Sequence, residues 1–97
     1  MKPTTWVQDE SAVKIASGAR EQLVRVNDGT EVFFASFRRN RTVKGIARAF
    51  AKNYWHGEAV NAVQITIARK VKGTWEDMGT GSFGPAGEVR ASEVPGG

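Results

Sequence analysis

The run EQLVRVNDGTEVFFASF, residues 21–37, constrains the fold more than any other part of the chain. Two stretches rich in β-branched and aromatic residues, 23–26 and 31–37, flank Asn27-Asp28-Gly29. These three residue types tolerate the positive φ angles that a tight reversal needs, so the pattern predicts an antiparallel hairpin. The second stretch carries apolar groups on both faces, Val32 and Phe34 on one and Phe33, Ala35 and Phe37 on the other. Its register is therefore open, and it reads as a central, well-covered strand.

Beyond the hairpin the hydrophobic period changes. With Val43 as origin and about 100° per residue, Val43, Ile46, Ala47, Phe50 and Tyr54 share a narrow arc, the apolar stripe of an amphipathic helix. The pattern predicts a helix over about 42–56, capped by Asn40 or Thr42 and ended by Gly57. Gly45 stands against it, at a cost of about 1 kcal/mol relative to alanine. Period two then returns. Val63, Ile65 and Ile67 alternate with Gln64, Thr66 and Ala68, Lys72-Gly73 can reverse the chain, and 74–78 can return beside it. Residues 9–20, DESAVKIASGAR, fit either a strand, from the alternation of Val13 and Ile15, or a short helix opened by Asp9; Ser17-Gly18 interrupts the helical reading, and a strand is expected. From Gly84 onward two prolines, four glycines and few large apolar groups predict a mobile tail. The expected architecture is α+β: a small antiparallel sheet of about four or five strands with one helix on one face. Residues 1–83 are expected to form a single compact domain and 84–97 the tail.

A chain of 97 residues supports one core and leaves little room for an enclosed substrate cavity. The absence of cysteine removes disulfides, thiolate metal sites and thiol nucleophiles together. No apolar run approaches the roughly 18–20 residues of a membrane span, and MKPTTWVQDES lacks the apolar centre of a secretory signal. The expected setting is the cytoplasm, with no membrane partner.

Charge is distributed unevenly. Of the 14 basic and 10 acidic residues, 38–72 hold nine basic and a single acid, Glu58. Such asymmetry points to a partner. FRRNRTVKG places Arg38, Arg39 and Arg41 just ahead of the expected helix, where unpaired N–H groups already carry partial positive charge. A phosphate or carboxylate among them would satisfy arginines and N–H groups at once. On the helix wheel Lys44, Arg48, Lys52 and Trp55 occupy the side opposite the core. Basic residues interleaved with an aromatic suit a nucleic-acid backbone and a stacked base. The same stripe is also what an ordinary solvated helix face looks like, whereas the arginine triplet runs against the dipole. Arg69, Lys70 and Lys72 are a possible second wall of this surface.

Other motifs carry less. GTGSFG, residues 79–84, is a literal GxGxxG, but Pro85 and Gly87 follow where a helix should open, so a glycine-rich strand end or bulge is expected. His56 is the sole histidine, and beside Glu58 at a helix end it builds no nucleophile–base set. Glu76 and Asp77 are adjacent, so on a strand they point to opposite faces. No catalytic residues, metal ligands or cofactors are expected. The terminal Pro95-Gly96-Gly97, with the order hairpin, helix, strands, loosely resembles the ubiquitin-like and sulfur-carrier proteins, which would imply a β-grasp domain with an exposed diglycine.

These readings converge on a non-catalytic binding module. It would engage nucleic acid or a nucleic-acid-handling complex through Arg38, Arg39, Arg41, Lys44, Arg48, Lys52 and Trp55, with Arg69, Lys70 and Lys72 beside them. The alternative class is an inhibitor from a phage or mobile element, of the anti-CRISPR type, which binds a host nucleoprotein complex. There the arginines would grip an acidic protein surface, or Asp9, Glu10, Glu76, Asp77, Glu88 and Glu93 would imitate phosphates.

Overall fold

The hairpin forms. In this computed structural model, which describes residues 4–15, 18, 20–54, 63–84 and 88–94, β1 (Glu21–Asn27) pairs antiparallel with β2 (Val32–Arg38). Val24 lies opposite Ala35 and Val26 opposite Phe33. The reversal is wider than a tight turn. Asn27 pairs with Val32 across a four-residue loop in which Gly29 takes a φ of 93°. Asn27 Oδ1 accepts from the Gly29 N–H at 2.8 Å, and Asp28 Oδ1 accepts from Thr30 and Glu31 at 2.8 and 2.7 Å. Side-chain oxygens thus hold backbone donors that a shorter turn would pair in the ladder.

The helix α1 (Val43–Tyr54) begins at Thr42, whose Oγ1 accepts from the Gly45 N–H at 3.0 Å. Of the two candidate caps, Thr42 is the one used. Val43, Ile46, Ala47, Phe50 and Ala51 are buried, while Lys44, Arg48 and Lys52 are exposed, as the wheel predicts. Trp55, His56, Gly57 and Glu58 lie outside the described residues.

β3 (Val63–Val71) and β4 (Thr74–Phe83) are joined by Lys72 and Gly73 at φ 49° and 81°, a two-residue reversal with both angles positive. β5 (Val89–Glu93) pairs antiparallel with β4. The sheet runs β2-β1-β3-β4-β5, and α1 packs on one face against β4 and β5. The architecture is the α+β arrangement expected, at the upper strand count. Among the described residues no helix is long and apolar enough to cross a membrane.

Three expectations are corrected. β2 is an edge strand, not a central one. Its second apolar face is covered instead by Trp75, reaching from β4, and its edge by the N-terminal segment, where Val7 and Phe34 exchange backbone hydrogen bonds of 3.0 and 2.7 Å. Residues 9–20 hold no strand among those described; Asp9 caps a single 3-10 turn, Glu10–Ala12, accepting from the Ser11 N–H and hydroxyl at 3.0 and 2.8 Å. This local bonding outcompetes the alternation of Val13 and Ile15. Finally, the segment expected to be a tail contributes β5. Gly79 and Gly81 strip side chains from β4 on the helix side, so β5 and α1 can approach closely, and Val89 packs on the core. Residues 85–87 and 95–97 lie outside the described residues.

The core lies between sheet and helix: Val24, Val26, Ala35, Phe37, Ile65, Ile67 and Phe83 from the strands, Val43, Ile46, Ala47 and Phe50 from α1. A Cβ on Gly81 would stand 2.9 Å from that of Ala47, so glycine sets the depth at which α1 seats. This is the work of the GTGSFG run, which lies almost wholly within β4. Trp6 closes the core, edge-on to Phe50 at 5.0 Å.

The sheet's other face carries no helix among the described elements. A register shift between Ile67 and Ala68 pairs Ile67 with Gly79 but Ala68 with Asp77, leaving Met78 as the extra residue of a bulge. Trp75 and Asp77 thereby share this open face with Thr80, and Glu76 points to the opposite side, opposite Arg69.

Candidate functional site

The arginines sit on the short turn that carries the chain from sheet to helix. Arg38 ends β2, and its carbonyl accepts from the Arg41 N–H at 3.0 Å. The Arg39 N–H donates to the Arg20 carbonyl at 3.1 Å, tying the turn to the residue before β1. Arg38, Arg39 and Arg41 are all exposed. Arg20, Glu21, Arg38, Arg39 and Asn40 line one shallow cleft there. Glu21 is the strand partner of Arg38, yet among the described residues none of the three arginines is ion-paired with a carboxylate.

Arg41 is the most constrained. Its guanidinium carbon lies 5.7 Å from the Phe37 ring centroid, and its stem passes over Gly45. A Cβ at Gly45 would meet Arg41 Cδ at 3.1 Å and Thr42 Oγ1 at 3.2 Å. The glycine that weakens the helix by propensity is therefore the residue that admits both the Thr42 cap and the Arg41 stem. The result is a cationic group held over the first turn of α1, next to the N–H groups that carry the dipole's positive end.

The remaining candidate residues divide among surfaces. Lys44, Arg48 and Lys52 form an exposed stripe on the outer side of α1, continuous with the arginine turn. Trp55, expected to accompany them, is outside the described residues. Arg69, Lys70 and Lys72 do not form one wall. Arg69 shares the helix side of the sheet with its strand partners Val24 and Glu76. Lys70 is on the open face, where its ammonium meets Glu10 Oε2 at 2.8 Å. Lys72 is in the β3–β4 turn, and continuing the Val24–Arg69 register by three residues brings it beside Glu21, at the sheet end that carries Arg38.

Sequence reading missed a second grouping, on the open face. Trp75 spans β3 and β1 to lie 5.9 Å from the Phe34 ring, with the Arg25 guanidinium carbon 4.6 Å and the Lys70 nitrogen 5.6 Å from its centroid. Ala68, small and 3 % exposed, points to the same face in the strand between them and lies outside the main core cluster. Two signals in the sequence lead there. Gln22, Val24 and Val26 alternate with Leu23, Arg25 and Asn27, and counting outward from Lys72-Gly73 sets Trp75 opposite Lys70. Chemically, the arrangement offers two cations beside an aromatic pair, all half-buried on a sheet face that also carries Leu23, Val32 and Ala68 among its polar residues.

Set against known protein families, curated proteins and solved structures, the chain has no significant match.

Proposed function

We propose that this is a non-catalytic binding protein that engages nucleic acid, or a complex that handles nucleic acid, through the basic surface at the start of α1. The reading rests on one observation: Arg38, Arg39 and Arg41 are exposed and unneutralised by carboxylates among the described residues, at a helix end whose dipole repels them. Cations so placed lower their energy by meeting an anion. A phosphate chain supplies several at a spacing that flexible arginines can follow. Lys44, Arg48 and Lys52 extend the track along the outer side of the helix, and Arg20 and Lys72 flank its entrance. The setting that suits a cysteine-free chain of this kind is the cytoplasm.

The test is binding of labelled DNA and RNA at several salt concentrations. If five phosphates are contacted, log K falls against log salt with a slope of about −3.5 to −4.5. Arg39→Glu combined with Arg41→Glu removes binding while leaving the fold intact. The absence of any binding at low salt overturns the reading.

A further inference from the structure

The open face of the sheet holds features that the arginine turn does not explain. Trp75 and Phe34 are half-buried there and stand apart from the core aromatics, which pack on the other side of the same strands. Arg25 and Lys70 both approach the Trp75 ring, and Arg38 lies further along this face, two pleats from Phe34. Lys70 is neutralised from outside the sheet. Its partner is Glu10, in the single 3-10 turn of the N-terminal segment, with both side chains still about a third exposed, 31 % and 39 %.

Beyond Trp75 the face changes character. A shallow trough runs across the far ends of β1, β3, β4 and β5, lined by Asn27, Gln64, Thr66, Thr80, Ser82 and Ser92, with Arg90 at its margin. The carboxylate among its lining residues, Asp28, is engaged by two loop N–H groups. From Trp75 to Ser82 along β4 is seven residues, roughly 23 Å with the strand rise. The face thus runs from an aromatic pair edged by cations to a floor of uncharged donors and acceptors. Among the described residues its other strand carboxylates are Glu21 and Asp77, and two of its four cations are ion-paired, Lys70 with Glu10 and Arg90 with Glu88 at 3.2 Å, which leaves Arg25 and Arg38 without a carboxylate partner.

We propose that this face binds a single strand of nucleic acid, with a base stacked on the Trp75–Arg25 grouping and the neighbouring phosphates on Lys70 and Arg38. The inference builds on the function proposed above and names its substrate class: unpaired rather than duplex nucleic acid. Stacking on aromatic rings and guanidinium planes requires bases splayed from a helix, and a sheet face tolerates any base because every base has a π-face. A duplex presents only phosphates to such a platform. Glu10 holds Lys70 in the unbound protein and is displaced by phosphate, so the N-terminal turn competes with the ligand.

The experiment measures fluorescence anisotropy of a labelled 12-residue oligothymidine, and of a duplex of equal length, at low salt. Circular dichroism melts check each variant's fold. Trp75→Leu weakens single-strand binding roughly 5- to 150-fold, the range for loss of one stacked base, and Trp75→Phe restores most of it. Glu10→Gln tightens binding, by about 1.5- to 5-fold. Where Trp75→Leu does not fold, Arg25→Gln, which weakens binding, and Glu10→Gln, which tightens it, carry the comparison. Single-strand binding unchanged by the Trp75, Arg25 and Glu10 substitutions but lost in Arg39→Glu/Arg41→Glu overturns the sheet site and leaves the arginine surface standing. Equal dependence of duplex binding on Trp75 also overturns it. No binding of either oligonucleotide by the wild-type protein overturns both readings, leaving a protein as the partner for both surfaces.

Discussion

Phe33 and Phe34 are neighbours on one strand and belong to different chemistries. Phe33 faces the helix, 5.4 Å from the Phe50 ring, in a cluster with Trp6, Phe37 and Phe83 that Arg41 meets at the Phe37 ring, 5.7 Å from its centroid. Phe34 faces away and meets Trp75, with Arg25 and Lys70 alongside. The two aromatic groups use the same residue types on opposite faces of the same sheet. The first is closed by α1 and is there to be dry. Among the described residues the second is covered by long cationic side chains and a short N-terminal turn, so it can be uncovered without disturbing the core. Stability should therefore reside on one face and recognition on the other.

That division is most easily broken in the core. Phe50→Ala removes a fully buried ring in contact with the rings of Trp6, Phe33 and Phe83 and should lower stability by about 3–5 kcal/mol. Trp75→Leu, at a half-buried site, should lower it by about 1–2 kcal/mol. Denaturant unfolding of both variants at neutral pH checks the contrast. Equal losses would mean that the open face is a second structural core rather than a covered platform.

The next effect concerns how closely the helix sits. Gly81→Val inserts a side chain whose Cβ alone would stand 2.9 Å from Ala47 Cβ and 3.3 Å from Ile65 Cγ1. Overpacking of this kind costs about 1–3 kcal/mol. The loss should appear in thermal unfolding, with single-strand binding retained at temperatures where the variant is folded. Loss of binding in a folded Gly81→Val protein would show that the two faces are coupled through β4.

A change of opposite sign tests the boundary between the faces. Gln22 is 7 % exposed on the helix side of β1, and its Nε2 has no hydrogen-bond partner among the described residues. An unmet buried donor is unfavourable by about 1–3 kcal/mol, whereas an apolar group of similar shape is not. Gln22→Met should therefore raise stability, by about 1 kcal/mol. Destabilisation measured in urea would reveal that the amide has a role at the arginine end of the sheet.

Where periodicity and turn chemistry agree, local sequence is sufficient. The wheel puts Val43, Ile46, Ala47 and Phe50 inside and Lys44, Arg48 and Lys52 outside, and Lys72-Gly73 reverses the chain, as the structure has them. Strand order is not legible in this way. Nothing local says that β2, apolar on both faces, lies at an edge, because its cover comes from Trp75 forty-one positions later in sequence and from Val7 twenty-seven positions before it. The same holds for β5, whose strand residues are ordinary and whose close approach depends on Gly79 in the strand beside it. The arginine turn is legible because charge opposes a dipole, a conflict visible within ten residues. The Trp75 group is legible only in part: the Lys72-Gly73 turn sets Trp75 opposite Lys70, but its meeting with Arg25 and Phe34 depends on β1 lying beside β3, which nothing local reveals.

The smallest expected effect is also the one that best separates folding from recognition at the arginine turn. Gly45→Ala should gain about 1 kcal/mol from helix propensity. The new Cβ would press on Arg41 Cδ at 3.1 Å and Thr42 Oγ1 at 3.2 Å, so the Arg41 stem must shift away from Phe37 and the cap must loosen. A weakened cap removes up to about 1 kcal/mol. The two contributions nearly cancel, and the melting temperature should move little. Binding should respond instead, because the guanidinium that the glycine holds over the helix N-terminus is freed to the solvent. A folded Gly45→Ala protein with unchanged stability and weakened oligonucleotide affinity would assign the glycine to positioning Arg41. The full gain in stability with unchanged affinity would mean that Arg41 rests there incidentally, and that Arg38 and Arg39 carry the anion contact without it.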